Sequence, residues 1–118
     1  MGLMFAKGTK VGRVKPHRYS NPKHLSWLHD WSCSLAGKGD CDGPVVVHHL
    51  LQPFIGARGM GRKAGDQNCL PMCDGCHRAL HSRGDEDAFF AEQTGYPEFG
   101  RRWAEKLWLD SPHYEDVF

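Results

Sequence analysis

The sequence predicts a small α+β fold fastened by metal. Three observations predict it: a β-branched run at Val45-Val46-Val47-His48, three segments of helical character after residue 74, and five cysteines with eight histidines in 118 residues. A chain this short buries a modest core, and Cys and His are the material for staples that such a core needs. An apolar fraction of 40% and a charged fraction of 25% exclude a disordered-type composition. Fourteen glycines and seven prolines point to long loops.

Taken in order, residues 1–24 carry Gly8, Gly12, Pro16 and Pro22 and little periodicity, so they read as an extended arm. Leu25–Trp31 reads as one or two helical turns, with Trp27 and Trp31 four apart on one core-facing side. Cys33 to Pro44 is loop. The valine run is a strand. Residues 54–66 hold Gly56, Gly59, Gly61 and Gly65 and form a loop that lacks the Gly-Lys-Ser/Thr of a phosphate-binding loop. Cys69–Met72 is a short apolar run in which Pro71 allows an edge strand or irregular chain. Asp74 is the expected cap of a helix to Arg83, closed by Gly84. Asp85 caps a second helix, with Glu86 and Asp87 set against its dipole. A third runs from about Pro97 to Leu109, with Phe99, Trp103 and Leu107 as its core stripe. Residues 110–118 read as an acidic tail.

Net charge is +1, but it is unevenly placed. Residues 1–29 hold six cations and no acid, while residues 84–118 hold nine acids and three cations. Lys7, Lys10, Arg13, Lys15 and Arg18 are the expected contacts of the arm with a polyanion. No stretch approaches the ~20 apolar residues of a membrane span. The N-terminal residues do not form a secretory signal, so a cytoplasmic location is expected. In a reducing compartment clustered Cys reads as metal ligand before disulfide.

Cys73-x-x-Cys76 has the spacing that lets two thiolates bind one tetrahedral ion. Cys33 and Cys41, with seven residues between them in a glycine-rich loop, complete an expected four-thiolate structural zinc. Cys69 is either a buried small hydrophobe or a substitute for Cys33 or Cys41. A redox role for Cys-x-x-Cys lacks its usual βαβ setting. His77 and His81 share a helical face, and with the His48-His49 doublet they offer three nitrogens to a first-row metal.

The order His48-His49, Asn68, Cys73-x-x-Cys76-His77 resembles the HNH endonucleases. The stretches Gly59-Met60-Gly61-Arg62-Lys63-Ala64-Gly65-Asp66, Leu70-Pro71-Met72-Cys73 and His77-Arg78-Ala79-Leu80-His81 are similar to small phage and prophage HNH proteins, including Ref-type recombination nucleases and YbcO-like proteins. The resemblance covers roughly residues 25–95. It implies a ββα-metal, treble-clef-like core over 25–95, with the arm at 1–24 and a C-terminal helix and acidic tail at 96–118.

The resemblance also assigns roles. His48 and His77 are metal ligands, His81 a second helix ligand, and His49 the general base. Asn68 braces the hairpin loop and orients His49. The His-His doublet stands where the family has Asp-His, which favours zinc, nickel, cobalt or manganese over magnesium alone. The wide first cysteine pair is the second departure.

The expected function is metal-dependent DNA hydrolysis with weak sequence specificity. A neutral imidazole is poised to take a proton from water near pH 7, and a divalent ion such as Mg2+, Mn2+, Zn2+ or Ni2+ stabilises phosphate charge. Arg58, Arg62, Lys63 and Arg78 are the expected phosphate contacts around the site. Asp66 either orients a ligand histidine or caps a turn. The partners implied are DNA and a recombinase filament or phage packaging and recombination proteins, in a bacterial host or phage-infected cell. The competing reading is a non-catalytic zinc module that binds nucleic acid or serves as a recombination or packaging accessory.

Overall fold

A computed structural model describes residues 18–38, 41–56 and 63–116. Among these, four helices surround a two-stranded antiparallel sheet, an α+β arrangement. The order is α1 (Pro22–His29), β1 (Val45–His49), β2 (Cys69–Cys73), α2 (Asp74–Arg83), α3 (Glu86–Thr94) and α4 (Phe99–Asp110). No helix among the described residues is long and apolar enough to cross a membrane.

Helix α1 begins earlier than its aromatic pattern suggested. The Asn21 side chain accepts from the His24 amide at 3.0 Å, and Pro22 occupies the first turn where no amide is needed. Residues 22–24 are therefore helical and not part of an extended arm. Residues 1–17 lie outside the described residues. Trp27 packs against the core, but Trp31 is 38% exposed and not a core residue. The helix stops at Asp30, so Trp31 does not continue its buried face, and its ring rests edge-on to Trp27 and Trp103.

The sheet pairs Val45 with Cys73, Val47 with Pro71, His48 with Leu70 and His49 with Cys69. Asp74 N–H donates to the Pro44 carbonyl and Leu50 N–H to the Asn68 carbonyl, flanking the ladder at each end. Hydrogen-bonded pairs alternate with non-bonded ones, so Val47 and Pro71 form a non-bonded pair. The missing Pro71 N–H thus faces away from β1, and the outward Pro71 carbonyl accepts from the Ser34 amide and hydroxyl. This is how a proline sits in β2 without a lost bond.

Helix α2 is capped by Cys73 rather than Asp74: the Cys73 sulfur accepts from the Cys76 amide at 3.3 Å. Asp74 is the first helical residue and pairs with Arg78 one turn on. Gly84 and Gly95 close α2 and α3 in the left-handed conformation, and Asp85 caps α3 through the Ala88 amide. Helix α4 starts at Phe99 because Pro97 lies in the preceding turn.

Leu28, Leu35, Leu50, Leu70, Met72, Leu80, Phe90 and Leu107 form one buried cluster, with Val47 of β1 packed against it. Helices α3 and α4 meet at Gly100, where an added Cβ would lie 2.6 Å from Phe90 Cε2 and 3.1 Å from Leu50 Cδ2. The chain after α4 turns back onto the start of the described chain. Asn21 Nδ2 donates to the His113 carbonyl at 2.9 Å, Tyr19 bonds Glu115, and Tyr114 packs on Trp108. The expected acidic tail is therefore anchored over its described part.

His24 is fully buried between Trp27 and Trp108, with Nδ1 2.9 Å from Ser111 Oγ. Burial lowers its pKa to about 4. The folded value lies below the unfolded value of about 6.5, so the unfolded chain takes up the proton first. Stability is intact above that pH and falls as pH drops from about 6.5 towards 4, by up to about 3 kcal/mol. Urea unfolding at pH 7 and pH 4.5 should show this loss, and His24→Gln should flatten the difference between the two. An unchanged pH slope in that variant overturns the assignment.

Candidate functional site

The four sulfurs of Cys33, Cys41, Cys73 and Cys76 lie within 4.8 Å of one another. They come from the turn after α1, the glycine-rich loop, the end of β2 and the first turn of α2. Gly43 is what lets the loop close on α2. Its φ is +84°, and a Cβ there would lie 3.0 Å from Asp74 Cβ. The Gly75 amide then donates to the Asp42 carbonyl at 2.7 Å.

A tetrahedral zinc with Zn–S of about 2.3 Å sets sulfurs about 3.8 Å apart, and Cys41 Sγ is 4.0 Å from Cys76 Sγ. Amides also point at the sulfurs: Leu35 N–H at Cys33, and Asp42 and Cys76 N–H at Cys73. Burial raises the Cys73 thiol, but these two amide bonds, with side-chain hydrogen bonds from Cys76 and Cys41, outweigh it and bring the pKa down to about 7. The donor set is compatible with a structural zinc site. Cys69 is not in this cluster, so it does not replace Cys33 or Cys41.

A second cluster joins His48 on β1 to His77 and His81 on α2, with ligating nitrogens within 4.8 Å of one another. The helix pair is set by i,i+4 spacing, and its Nε2 atoms are 3.1 Å apart. The His48 ring lies edge-on to both, at 5.1 and 5.7 Å between centroids. His48 is buried, His77 half-buried and His81 exposed, so one side of the cluster opens to solvent. Burial, with His48 and His81 beside it, holds the His77 pKa below its ordinary value. A neutral ring retains the lone pair that a metal needs.

His49 belongs to a third cluster, with Asp66 and Cys69. Strand alternation turns it to the opposite face from His48. Its Nε2 donates to Asp66 Oδ1 at 2.9 Å. The same oxygen accepts from Arg18 Nη1 at 2.6 Å, and Oδ2 accepts from the Asn21 amide at 2.8 Å. Burial opposes the Asp66 charge, but His49, the Asn21 amide and Arg18 outweigh it and lower the pKa. Asp66 therefore orients His49, not a histidine of the three-nitrogen cluster, and it also tethers the chain before α1.

Asn68 is fully buried and closes the long loop between the strands. Its Oδ1 accepts from the Phe54 and Ile55 amides at 2.7 and 3.2 Å, and its Nδ2 donates to the Ile55 and Gly65 carbonyls. Its contacts are thus with loop backbone, next in sequence to the Asp66 turn.

The expected cations are less gathered. Lys7, Lys10, Arg13, Lys15, Arg58 and Arg62 lie outside the described residues. Lys63 is exposed. Arg78 is exposed but shared between Asp74 at 3.0 Å and Asp42 at 3.7 Å. Arg18 spends its charge on Asp66 while staying 40% exposed.

The residue that sequence reasoning missed is Glu86. It is buried, and its Oε2 lies 2.7 Å from His48 Nε2. Within an Asp85-Glu86-Asp87 run at a helix start, nothing local separates it from its neighbours. Only burial of one of three acids does so.

A model of the family described as "Protein of unknown function (DUF968)" matches residues 9–98. No curated protein and no solved structure matches the chain.

Proposed function

The chain belongs to the DUF968 family, and we propose that it is a metal-dependent DNA endonuclease on a ββα-metal, HNH-type core. The observation that carries this reading is the convergence of His48, His77 and His81 from a strand and the helix that follows its hairpin partner. Three imidazoles with one open side suit a divalent first-row ion that keeps a position for substrate. When bound, such an ion supplies charge stabilisation for the scissile phosphate and the leaving oxygen. The four cysteines serve a separate, structural zinc.

His49 is the general base of this reading. With Nε2–H held by Asp66, the neutral ring carries its lone pair on Nδ1. The side chain keeps 12% of its surface exposed while Asp66 keeps 1%, so water reaches the ring and not the carboxylate. Nδ1 takes a proton from the attacking water, the new P–O bond forms, and the bond from phosphorus to the leaving sugar oxygen breaks. The imidazolium that results is stabilised by Asp66. Asn68 positions this base indirectly, by holding the loop that ends in the Asp66 turn. Arg18, Lys63 and Arg78, with the cations of the arm and loop, supply phosphate contacts.

A non-catalytic zinc module that binds nucleic acid is the second reading. One observation favours it: β1 sets His49 and His48 on opposite faces. Plasmid nicking separates the two. Chain with zinc kept on the cysteines and the histidine cluster free of metal should be inactive, and added Mn2+, Ni2+ or Mg2+ should restore nicking. His77→Ala should lose that response while retaining the cysteine-bound zinc. DNA binding without nicking under every metal overturns the nuclease reading.

A further inference from the structure

Glu86 sits in the first turn of α3, yet its carboxylate is turned inward to the three-histidine cluster and is almost completely buried. It meets three N–H or ring-nitrogen groups. The Leu51 amide donates to both oxygens at 3.1 and 3.0 Å, the Gln52 amide donates to Oε1 at 3.0 Å, and His48 Nε2 lies 2.7 Å from Oε2. A carboxylate that already receives two backbone donors offers only acceptor oxygens. The imidazole nitrogen facing it must therefore carry the proton. An imidazole that ligates a metal has one N–H and one lone pair, so as a ligand His48 offers its lone pair on Nδ1.

We propose that Glu86 is a positioning residue that holds His48 in its Nε2–H tautomer and so makes Nδ1 the metal-ligating atom, while His77 and His81 ligate through Nε2. The inference rests on the metal reading above and extends it to a residue and an atom. The helix pair supports the asymmetry. Its two Nε2 atoms are 3.1 Å apart, close to the ~3.3 Å between two nitrogens that share a tetrahedral ion at about 2.0 Å. His48 meets them from β1 with Nε2 already engaged by Glu86 of α3. Glu86 does two further things. It places a buried negative charge behind one ligand, which raises that ligand's basicity. It also ties α3 to the chain that leaves β1, so the His48 ring is held from both sides.

Neither neighbour of Glu86 repeats this. Asp85 is spent on the helix cap and Asp87 pairs with Arg101. A glutamine at 86 has nearly the same shape but only one acceptor atom. With its amide oxygen kept on the Leu51 and Gln52 amides, its NH2 faces His48 and demands a lone pair on Nε2. The tautomer then inverts and Nδ1 carries the proton.

The test uses the full chain with zinc on the cysteines and the histidine cluster free of metal. Long-range 1H–15N NMR of the wild type should show His48 protonated on Nε2, and Glu86→Gln should show it protonated on Nδ1. Cobalt titration should show a 10- to 100-fold weaker histidine site in Glu86→Gln, with the zinc still bound to the cysteines. A wild-type His48 protonated on Nδ1 overturns the proposal without any variant. So does a folded Glu86→Gln that binds cobalt as tightly as wild type. A chain that binds cobalt at the histidines but never nicks DNA keeps this inference and loses the nuclease reading.

Discussion

Cys76→Ser is expected to leave the chain largely unfolded at neutral pH, with far-UV circular dichroism near that of the chelator-treated wild type. The four-cysteine cluster joins segments that are otherwise tied mainly by a few hydrogen bonds, from Ser34 to Pro71, Asp74 to Pro44 and Gly75 to Asp42. Cys33 and Cys41 belong to a loop that holds Gly37, Gly43 and Pro44 and no regular strand or helix among its described residues, whereas Cys73 and Cys76 bracket the β2–α2 junction. Structural zinc supplies about 10–16 kcal/mol in small zinc-finger peptides. Whole domains are stable by only about 5–15 kcal/mol, so loss of one thiolate removes a share comparable to the total. Elemental analysis should find one zinc per wild-type chain on these sulfurs. Cys69→Ala is the control, because that thiol lies in another cluster. It should keep its zinc and lose about 1 kcal/mol from the small cavity. A Cys76→Ser chain that melts like wild type sinks the structural-zinc assignment.

His49→Ala is expected to lower metal-stimulated nicking by about 10²- to 10⁴-fold, the usual contribution of a general base. Metal affinity at His48, His77 and His81 should stay within twofold, because His49 belongs to a separate cluster. DNA affinity should also be kept. Stability is the delicate part, since truncation leaves Asp66 with Arg18 and the Asn21 amide only. His49→Gln preserves a donor towards Asp66 and no basic lone pair, so it should fold like wild type and be equally inactive. Nicking at the wild-type rate by either variant removes His49 from the chemistry.

Much of the framework was legible in the chain because it is local. The valine run, the Asp85 cap, the Gly84 stop and the His77–His81 spacing each involve residues within four positions of one another. The pairing of Cys33 and Cys41 with Cys73 and Cys76 was readable from ligand chemistry. The HNH-type identity of the core stays a proposal, carried by the histidine geometry.

Other features were hidden by distance. Local rules made Asp74 the cap of α2, but a sulfur that the cluster already orients stands one residue earlier and takes the amide. They put Trp31 in the core, but the helix ends before it. They treated Glu86 as one acid among three at a helix start, although its partner His48 is 38 residues away. They offered Asp66 a ligand histidine or a turn, although it serves His49, 17 residues away. What the sequence by itself determined is which short segments are strands and helices, and which residue types can bind metal. Tertiary structure alone decided which buried carboxylate meets which imidazole. Burial in the fold removes the competing water, and a charge-assisted hydrogen bond between distant residues becomes strong only after that.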